Sequence, residues 1–583
     1  VKPLALRLPL SLPGGRWLAD RIWAVEHAYE RAKAEARPEE DTRVRIFFVL
    51  AVFGCTFAAM AIGAGRAALF SGADTSATQP EVAASRADLV DRDGRLIASN
   101  IVHYGLYIDP DEVWDRNEAR RALLLAAPGL NPQKLDKALT GEHRTYVLGG
   151  LTPQDRAKLH ALGLPGVSFE EEDKRVYPLG TQAAHLIGFT DSGGRGIAGI
   201  ERALDREIQQ AGQGGAPVSL SIDLRVQAAL EDELSQAAVA QGAAGAVGIV
   251  TDVKTGEILA LSSWPSFDPN APAALSDNDR LDRAAAQTYE MGSTFKVFTL
   301  SAALDTGAAS LQSTFDASRP LRIGSREIHD DHPENRVMTL RDVFIKSSNI
   351  GTAKLGLAMG RDTLVRYFDA YGLLRPAEVE LAESTHPIVP RTWNEDTVAS
   401  TAFGQAISIT PLQLAAGMGA AVNGGTYLPL TLRKLAPGEA PAGRRVISVA
   451  TSRAMLDLMR QNVQMGTGKF ADIAGLSVGG KTGTAQKVIH GRYAQNRTVS
   501  SFAAVFPTEG AMDAQRYFVL ILIDDPKGDK ASLGLRTGAY VAAPVAGRVI
   551  DRIAPFLGVR RGEMSSVVPN AKAATLDDGA GEQ

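Results

Sequence analysis

The octapeptide Tyr289–Lys296 (YEMGSTFK) sets a serine and a lysine three positions apart, at what reads as the opening of a helix. Gly292 precedes Ser293, and the apolar Phe295, Val297 and Phe298 follow. On a helix, Ser293 and Lys296 share one face. A serine hydroxyl is a weak nucleophile until a neighbour takes its proton. A lysine can take that proton only as the free amine, so its pKa has to fall through burial or a nearby cation. A helix N-terminus also offers backbone N–H groups to a developing oxyanion. Alone the pair is a weak signal, because serine and lysine at this spacing recur by chance in many chains.

Two later stretches give it weight. Ser347-Ser348-Asn349 follows the helical run Leu340–Ile345. A second hydroxyl there can relay a proton toward a leaving amine, and the Asn349 amide can hold a peptide group. The plainer role for such residues is a helix cap. Lys481-Thr482-Gly483-Thr484 reads as strand. It would direct Lys481 and the threonine hydroxyls into a cleft, with Gly483 admitting a substrate backbone. Lys481 would be the second cation that keeps Lys296 neutral, and it would attract a carboxylate. Ser276-Asp277-Asn278 and Lys254-Thr255-Gly256 match the same short patterns but precede Ser293; they read as a polar loop and a hairpin turn. The discriminating feature is the ordered triplet SxxK, SxN, KTG, which marks β-lactamases and penicillin-binding proteins.

Around the triplet the chain reads as a sheet assembled from both ends of one domain. Asp223 can cap a helix carrying Val226, Leu230, Leu234 and Ala238 on one face. Ala246–Asp252 and Glu257–Ser263 form a hairpin, Ser500–Phe506 and Tyr517–Asp524 read as two further strands, and a last helix runs over Val541–Ile553. The long middle is mostly helical. This order predicts an α/β (α+β) domain, an antiparallel sheet flanked by helices. Upstream, Arg86–Asn100 (RADLVDRDGRLIASN) has two apolar runs about Asp93-Gly94, a hairpin signature. Gln209–Gly215 reads as a joint between domains, and Ser71–Ser85 as a linker.

Ile46–Gly65 (IFFVLAVFGCTFAAMAIGAG) carries no charge over twenty residues. As a helix it would span about 30 Å, the thickness of a bilayer's hydrocarbon core. Arg43 and Arg45 precede it and Arg66 follows, so the N-terminal side is expected in the cytoplasm. The run is too long, and its lead-in too long, for a cleaved signal peptide. The expected organisation is a cytoplasmic tail 1–45, a transmembrane helix 46–65, an elongated mixed pedestal domain 66–215, a catalytic domain 216–560 and a polar, disordered tail 561–583. Composition excludes little: 45% hydrophobic, 22% charged and a net charge of −4 offer no electrostatic footprint for nucleic acid. The single cysteine, Cys55, rules out an internal disulfide and a cysteine-based metal site.

With these motifs in place, the chain resembles a class B penicillin-binding protein, a monofunctional peptidoglycan D,D-transpeptidase. The resemblance extends beyond the triplet. RADLVDRDGRLIA, Arg175-Val176-Tyr177-Pro178, His185-Leu186-Ile187-Gly188 and Gly199-Ile200-Glu201 look like the family's pedestal signatures. WPSFDPN (264–270), Thr410-Pro411-Leu412-Gln413 and Asn423-Gly424-Gly425 look like its catalytic-domain landmarks. YEMGSTFK has the flavour of the division-type, FtsI-like branch rather than the elongation-type branch.

The resemblance implies a penicillin-binding/β-lactamase-like fold and a reaction. Ser293 would attack the D-Ala–D-Ala bond of a donor stem peptide, with Lys296 as base and Ser347 in the proton relay. Asn349 would hold substrate. Lys481, Thr482 and Thr484 would bind the terminal carboxylate beside Gly483. The N–H groups of Ser293 and Thr484 would form the oxyanion hole. β-Lactams would acylate Ser293 and stay. No metal or organic cofactor is implied. The implied partners are peptidoglycan stem peptides, a lipid-linked wall polymerase and other division proteins. The implied location is the inner membrane, crossed once, with the catalytic domain in the periplasm.

Two rival readings remain on the residues. Gly475–Thr482 (GLSVGGKT) fits a P-loop, with Val519–Asp525 as a Walker B strand, but a P-loop requires a helix after the lysine. Gln486–Arg497 reads instead as a turn leading to another strand. His329, Asp330, Asp331, His332 and Glu334 could gather a metal ion, but their spacing is no standard zinc pattern, and a solvated acidic loop is the simpler reading.

Overall fold

Apolar alternation with both faces covered builds the central sheet. Strands β1 (Gly245–Asp252) and β2 (Ile258–Trp264) form the first hairpin. β3 (Gly479–Ile489), β4 (Arg492–Phe506) and β5 (Tyr517–Asp524) follow late in the chain, and the antiparallel order is β3-β4-β5-β1-β2. Every residue of β1 and β5 is buried. Along β5, Phe518, Leu520 and Leu522 face one core while Val519, Ile521 and Ile523 face the other. That is period-two geometry with no solvated side, which is why the sequence reads there as an unbroken apolar run.

In this computed structural model the described residues are 86–562, except 192, 273–275, 440, 490 and 491, together with scattered helical positions between 20 and 34 and between 49 and 60. Among the described residues no helix is long and apolar enough to cross a membrane. The expected span 46–65 lies largely outside them, as do the linker 71–85 and the tail from 563 onward. Residues 1–83 and 84–583 are two separate units; in the first, Trp23 stacks on His27 at 4.0 Å.

Helices α1 (Leu224–Ala240), α2 (Lys296–Asp305), α3 (Asn349–Met359), α4 (Pro411–Val422), α5 (Val449–Met465) and α6 (Ala542–Ile553) flank the sheet. Val226, Leu230 and Leu234 of α1 and Val545, Val549 and Ile550 of α6 share one core with the outward residues of β1 and β5. Helices α2, α4 and α5 fill the other core. Asp223 caps α1 by accepting from Arg225 N–H, and Thr410 with Gln413 forms a capping box on α4.

The middle is less purely helical than its sequence reads. Two ribbons, Thr314–Asp316 with Val337–Thr339 and Leu321–Ile323 with Arg326–Ile328, come before the SxN loop. Their three-residue strands are too short to show a period. Gln209–Gly215, expected as a joint, is mostly the last turns of the helix Asp205–Gly214, closed by left-handed Gly215. Arg561 and Gly562, expected in the tail, are tied to the Ala474–Gly475 turn.

In the N-terminal lobe the expected hairpin forms between Leu89–Val90 and Leu96–Ile108, with Gly94 at φ +83°. Its entry residue Arg86 meets two distant signatures in one buried cluster. Glu201 accepts from Arg86 Nε at 3.1 Å and from Arg175 Nε at 2.7 Å, and Asp205 takes Arg86 Nη1. Glu201 is wholly buried. A second, separate core, with Leu106, Ile108, Leu123, Leu135 and Leu139, holds the lobe's far end.

Candidate active site

A tight turn delivers the nucleophile. Gly292–Phe295 is one turn of 3₁₀ helix that runs directly into α2, so Ser293 and Lys296 stand nearly above one another. The turn is pinned from behind. Tyr289 exchanges backbone bonds with Ile409, and Gly292 N–H donates to Gly404 O at 3.1 Å. Gly292 adopts φ +53°, and a Cβ on it would lie 2.5 Å from Thr484 O. The same atom would be 3.4 Å from Thr484 N, so the backbone before Ser293 packs directly against that of Thr484. Gly483 is equally constrained, since a Cβ there would meet Ser501 Oγ at 2.4 Å and Met291 O at 2.6 Å. These glycines let β3 lie flush against the Ser293 turn.

The other two motifs converge on one hydroxyl. Ser347 Oγ accepts from Lys296 Nζ at 3.1 Å and from Lys481 Nζ at 2.9 Å. Lys296 also donates to Ser347 O and, at 2.8 Å, to Asn349 Oδ1. Lys296 and Lys481 are fully buried, and Ser293, on the turn that leads into Lys296, is half-buried. Burial is the largest influence on Lys296 and brings its pKa down to about 7, against the opposing pull of Asp330 and Asp331. Burial also pushes Lys481 well below its ordinary value, helped by the charge of Lys296 and opposed by Asp331. Of the two causes the sequence allows, burial or a nearby cation, burial is the one that lowers Lys296 here.

The substrate-side residues are placed as follows. Thr482 Oγ1 is 2.7 Å from Thr467 Oγ1, and Thr484 Oγ1 accepts from Gly538 N–H at 3.0 Å. Asn349 divides its amide between Lys296 and, at 3.1 Å, the His329 carbonyl. Thr467 and Gly538 carry no motif, and only the packing of β3 against the α5 terminus and the 538 turn reveals them.

The segment 329–335 is the mostly exposed loop the sequence predicts, but within it Asp330 has a part the sequence does not show: its carboxylate accepts from Ser348 Oγ at 2.8 Å and from Ile350 N–H at 2.9 Å. Among the described residues, the carboxylates of 330–334 do not gather as metal ligands. The one such cluster is Asp91, Asp93 and Asp223, whose oxygens are engaged by Arg95 and Arg225.

The rival patterns resolve as plain structure. Lys254–Gly256 turns the β1–β2 hairpin, and Ser276 caps the short helix Asp277–Arg280. Lys481, which would be the P-loop lysine, lies inside β3, which continues to Ile489 and pairs with β4 rather than opening a helix.

A serine at a helix opening, two desolvated lysines and a KTG strand define the serine acyltransferases of the β-lactamase and penicillin-binding class. The family model "Penicillin binding protein transpeptidase domain" matches residues 246–551, and "Penicillin-binding Protein dimerisation domain" matches residues 81–211. The chain belongs to the penicillin-binding protein family. It is 54% identical to the "Probable peptidoglycan D,D-transpeptidase FtsI" of Caulobacter vibrioides, over 97% of this chain and 99% of that protein. It is 28% identical to the "Peptidoglycan D,D-transpeptidase FtsI" of Escherichia coli K12, over 95% and 99%. In fold it is similar to penicillin binding protein 3 of Mycobacterium tuberculosis complexed with ampicillin. That match has a TM-score of 0.64 and 24% identity, over 83% of this chain and 97% of that one.

Proposed function

We propose that the chain is a division-type peptidoglycan D,D-transpeptidase that cross-links stem peptides through an acyl-enzyme on Ser293. The observation that carries this reading is the meeting of Lys296 and Lys481 on Ser347 Oγ, beside the Ser293 turn. Neutral Lys296 takes the Ser293 proton as Oγ attacks the carbonyl of the penultimate D-alanine. The Ser293 and Thr484 N–H groups hold the oxyanion. The proton passes through Ser347 to the leaving D-alanine amine. An amine of a neighbouring strand then attacks the ester carbonyl, and its proton passes through Lys296 to Ser293 Oγ as the ester bond breaks. Lys481, Thr482 and Thr484 hold the donor's terminal carboxylate beside Gly483, and Asn349 steadies its backbone. A β-lactam follows the first half of this course and remains on Ser293.

The organisation that suits this task is a cytoplasmic tail 1–45, one membrane helix 46–65, a pedestal 66–215 and a transpeptidase domain 216–560 facing the periplasm. Lipid-linked wall polymerase and division proteins would work beside it. The likeness to the FtsI relatives supports septal rather than side-wall synthesis. Peptide mapping after reaction with a labelled penicillin tests the chemistry: the label is expected on Ser293 and absent from Ser293→Ala, and a label elsewhere overturns the assignment. A tagged chain in growing cells tests the setting, with mid-cell expected and side walls contrary.

A further inference from the structure

Ser347 has to present its hydroxyl between two lysines, and its backbone adopts φ +60°, a left-handed conformation that costs a serine free energy. Such a conformation persists only where its surroundings over-determine it. The next residues show what does so here. Ser348 caps α3, accepting from Gly351 N–H at 2.9 Å while its own hydroxyl proton goes to Asp330 Oδ2. Ile350 N–H, one of the unpaired donors of the first helical turn, goes to Asp330 Oδ1. One carboxylate thus closes the α3 terminus just after the left-handed residue. The strap is itself anchored: Asp330 follows the strand Arg326–Ile328, whose Arg326 donates to Gln405 Oε1 at 2.8 Å.

We propose that Asp330 is a positioning residue for acylation: its carboxylate straps the Ser347 loop in place. This rests on the reading of Ser293 as nucleophile. The groups around the Lys296 amine are Ser347 and Asn349 from the SxN loop, Lys481 from β3, and Asp330 and Asp331 from the strap. The carboxylates favour the ammonium form and so oppose the burial that frees the amine. Asn at 330 keeps an acceptor oxygen but removes the charge; Ala removes both.

The test follows the acylation rate of the full chain by a labelled penicillin across its acid limb, with thermal melting measured alongside. Asp330→Asn is expected to keep the plateau rate within several-fold and to move the acid limb to lower pH. Asp330→Ala is expected to lose on the order of 10²-fold at every pH, as misplaced reacting groups do. An unmoved limb in D330N, or a wild-type plateau in a folded D330A, overturns the proposal. Should D330A fail to fold, the D330N limb decides alone. Failure of the wild-type chain to label at Ser293 would instead remove the underlying reading, so the two failures are distinguishable.

Discussion

Burial readies Lys296 for the proposed role of base. With its pKa brought down to about 7, the proposed mechanism has the ammonium lose a proton before Ser293 reacts. The rate is therefore expected to rise with pH through about 7 and to fall below it as the ammonium returns, which a pH–rate profile of penicillin acylation checks. Lys296→Ala is expected to slow acylation by roughly 10²–10⁴-fold, the range for losing a general base. Lys254→Ala, in the look-alike KTG turn between β1 and β2, is expected to leave the rate unchanged. At this scale much of the site was legible. Ser293, Lys296, Ser347 and Lys481 were chosen on residue type and order, and three of them now share one hydrogen-bonded centre. Asp330 was not legible, because an aspartate in a polar loop looks the same whether it faces water or a helix terminus.

At the scale of elements, the site depends on how closely β3 approaches the Ser293 turn. Gly483 has room for no side chain. Gly483→Val is expected to push strand and turn apart, to lower stability by about 1–3 kcal/mol as overpacking does, and to abolish penicillin labelling. A folded variant that labels normally would show that the contact is dispensable. The helices and central strands could be read from their periods and caps: Leu340–Ile345 and Ala542–Ile553 fall where the apolar spacing put them. The ribbons of residues 314–339 could not, since strands of three residues offer no alternation to count.

For the whole molecule, buried charge holds the N-terminal lobe together and joins it to the catalytic domain. Glu201 bridges Arg86 and Arg175 out of reach of water, and Asp205 adds the second negative charge on Arg86. Glu201→Ala would leave buried Arg175 without its carboxylate and Arg86 with Asp205 alone, and is expected to cost about 3–5 kcal/mol, readable as a lowered denaturation midpoint. At the joint, Glu231 accepts from Ala183 N–H at 2.7 Å, Glu383 from Gly199 N–H at 3.1 Å, and His185 meets the Asp279 carbonyl at 2.7 Å. Burial raises Glu231 to about 7, above its unfolded value, so the folded chain binds this proton more tightly. The associated stability is full at acid pH and is lost as pH rises through about 7. Glu231→Gln keeps the acceptor without the charge. It is expected to raise the unfolding free energy at alkaline pH by about 1–3 kcal/mol at most and to change it little in acid, readable as a higher melting temperature at alkaline pH only.

Local periods, caps and the ordered triplet were enough to determine the class of fold and to single out a candidate nucleophile and base, because each depends on residues a few positions apart or on their order along the chain. The direction of each amide and hydroxyl, the strap made by Asp330 and the salt-bridged heart of the lobe were decided only by tertiary structure. These join residues as far apart as Arg86 and Glu201, or Ser347 and Lys481. Their energetics come from removing charge from water, and the degree of desolvation is a property of the packed molecule that no short stretch of chain carries.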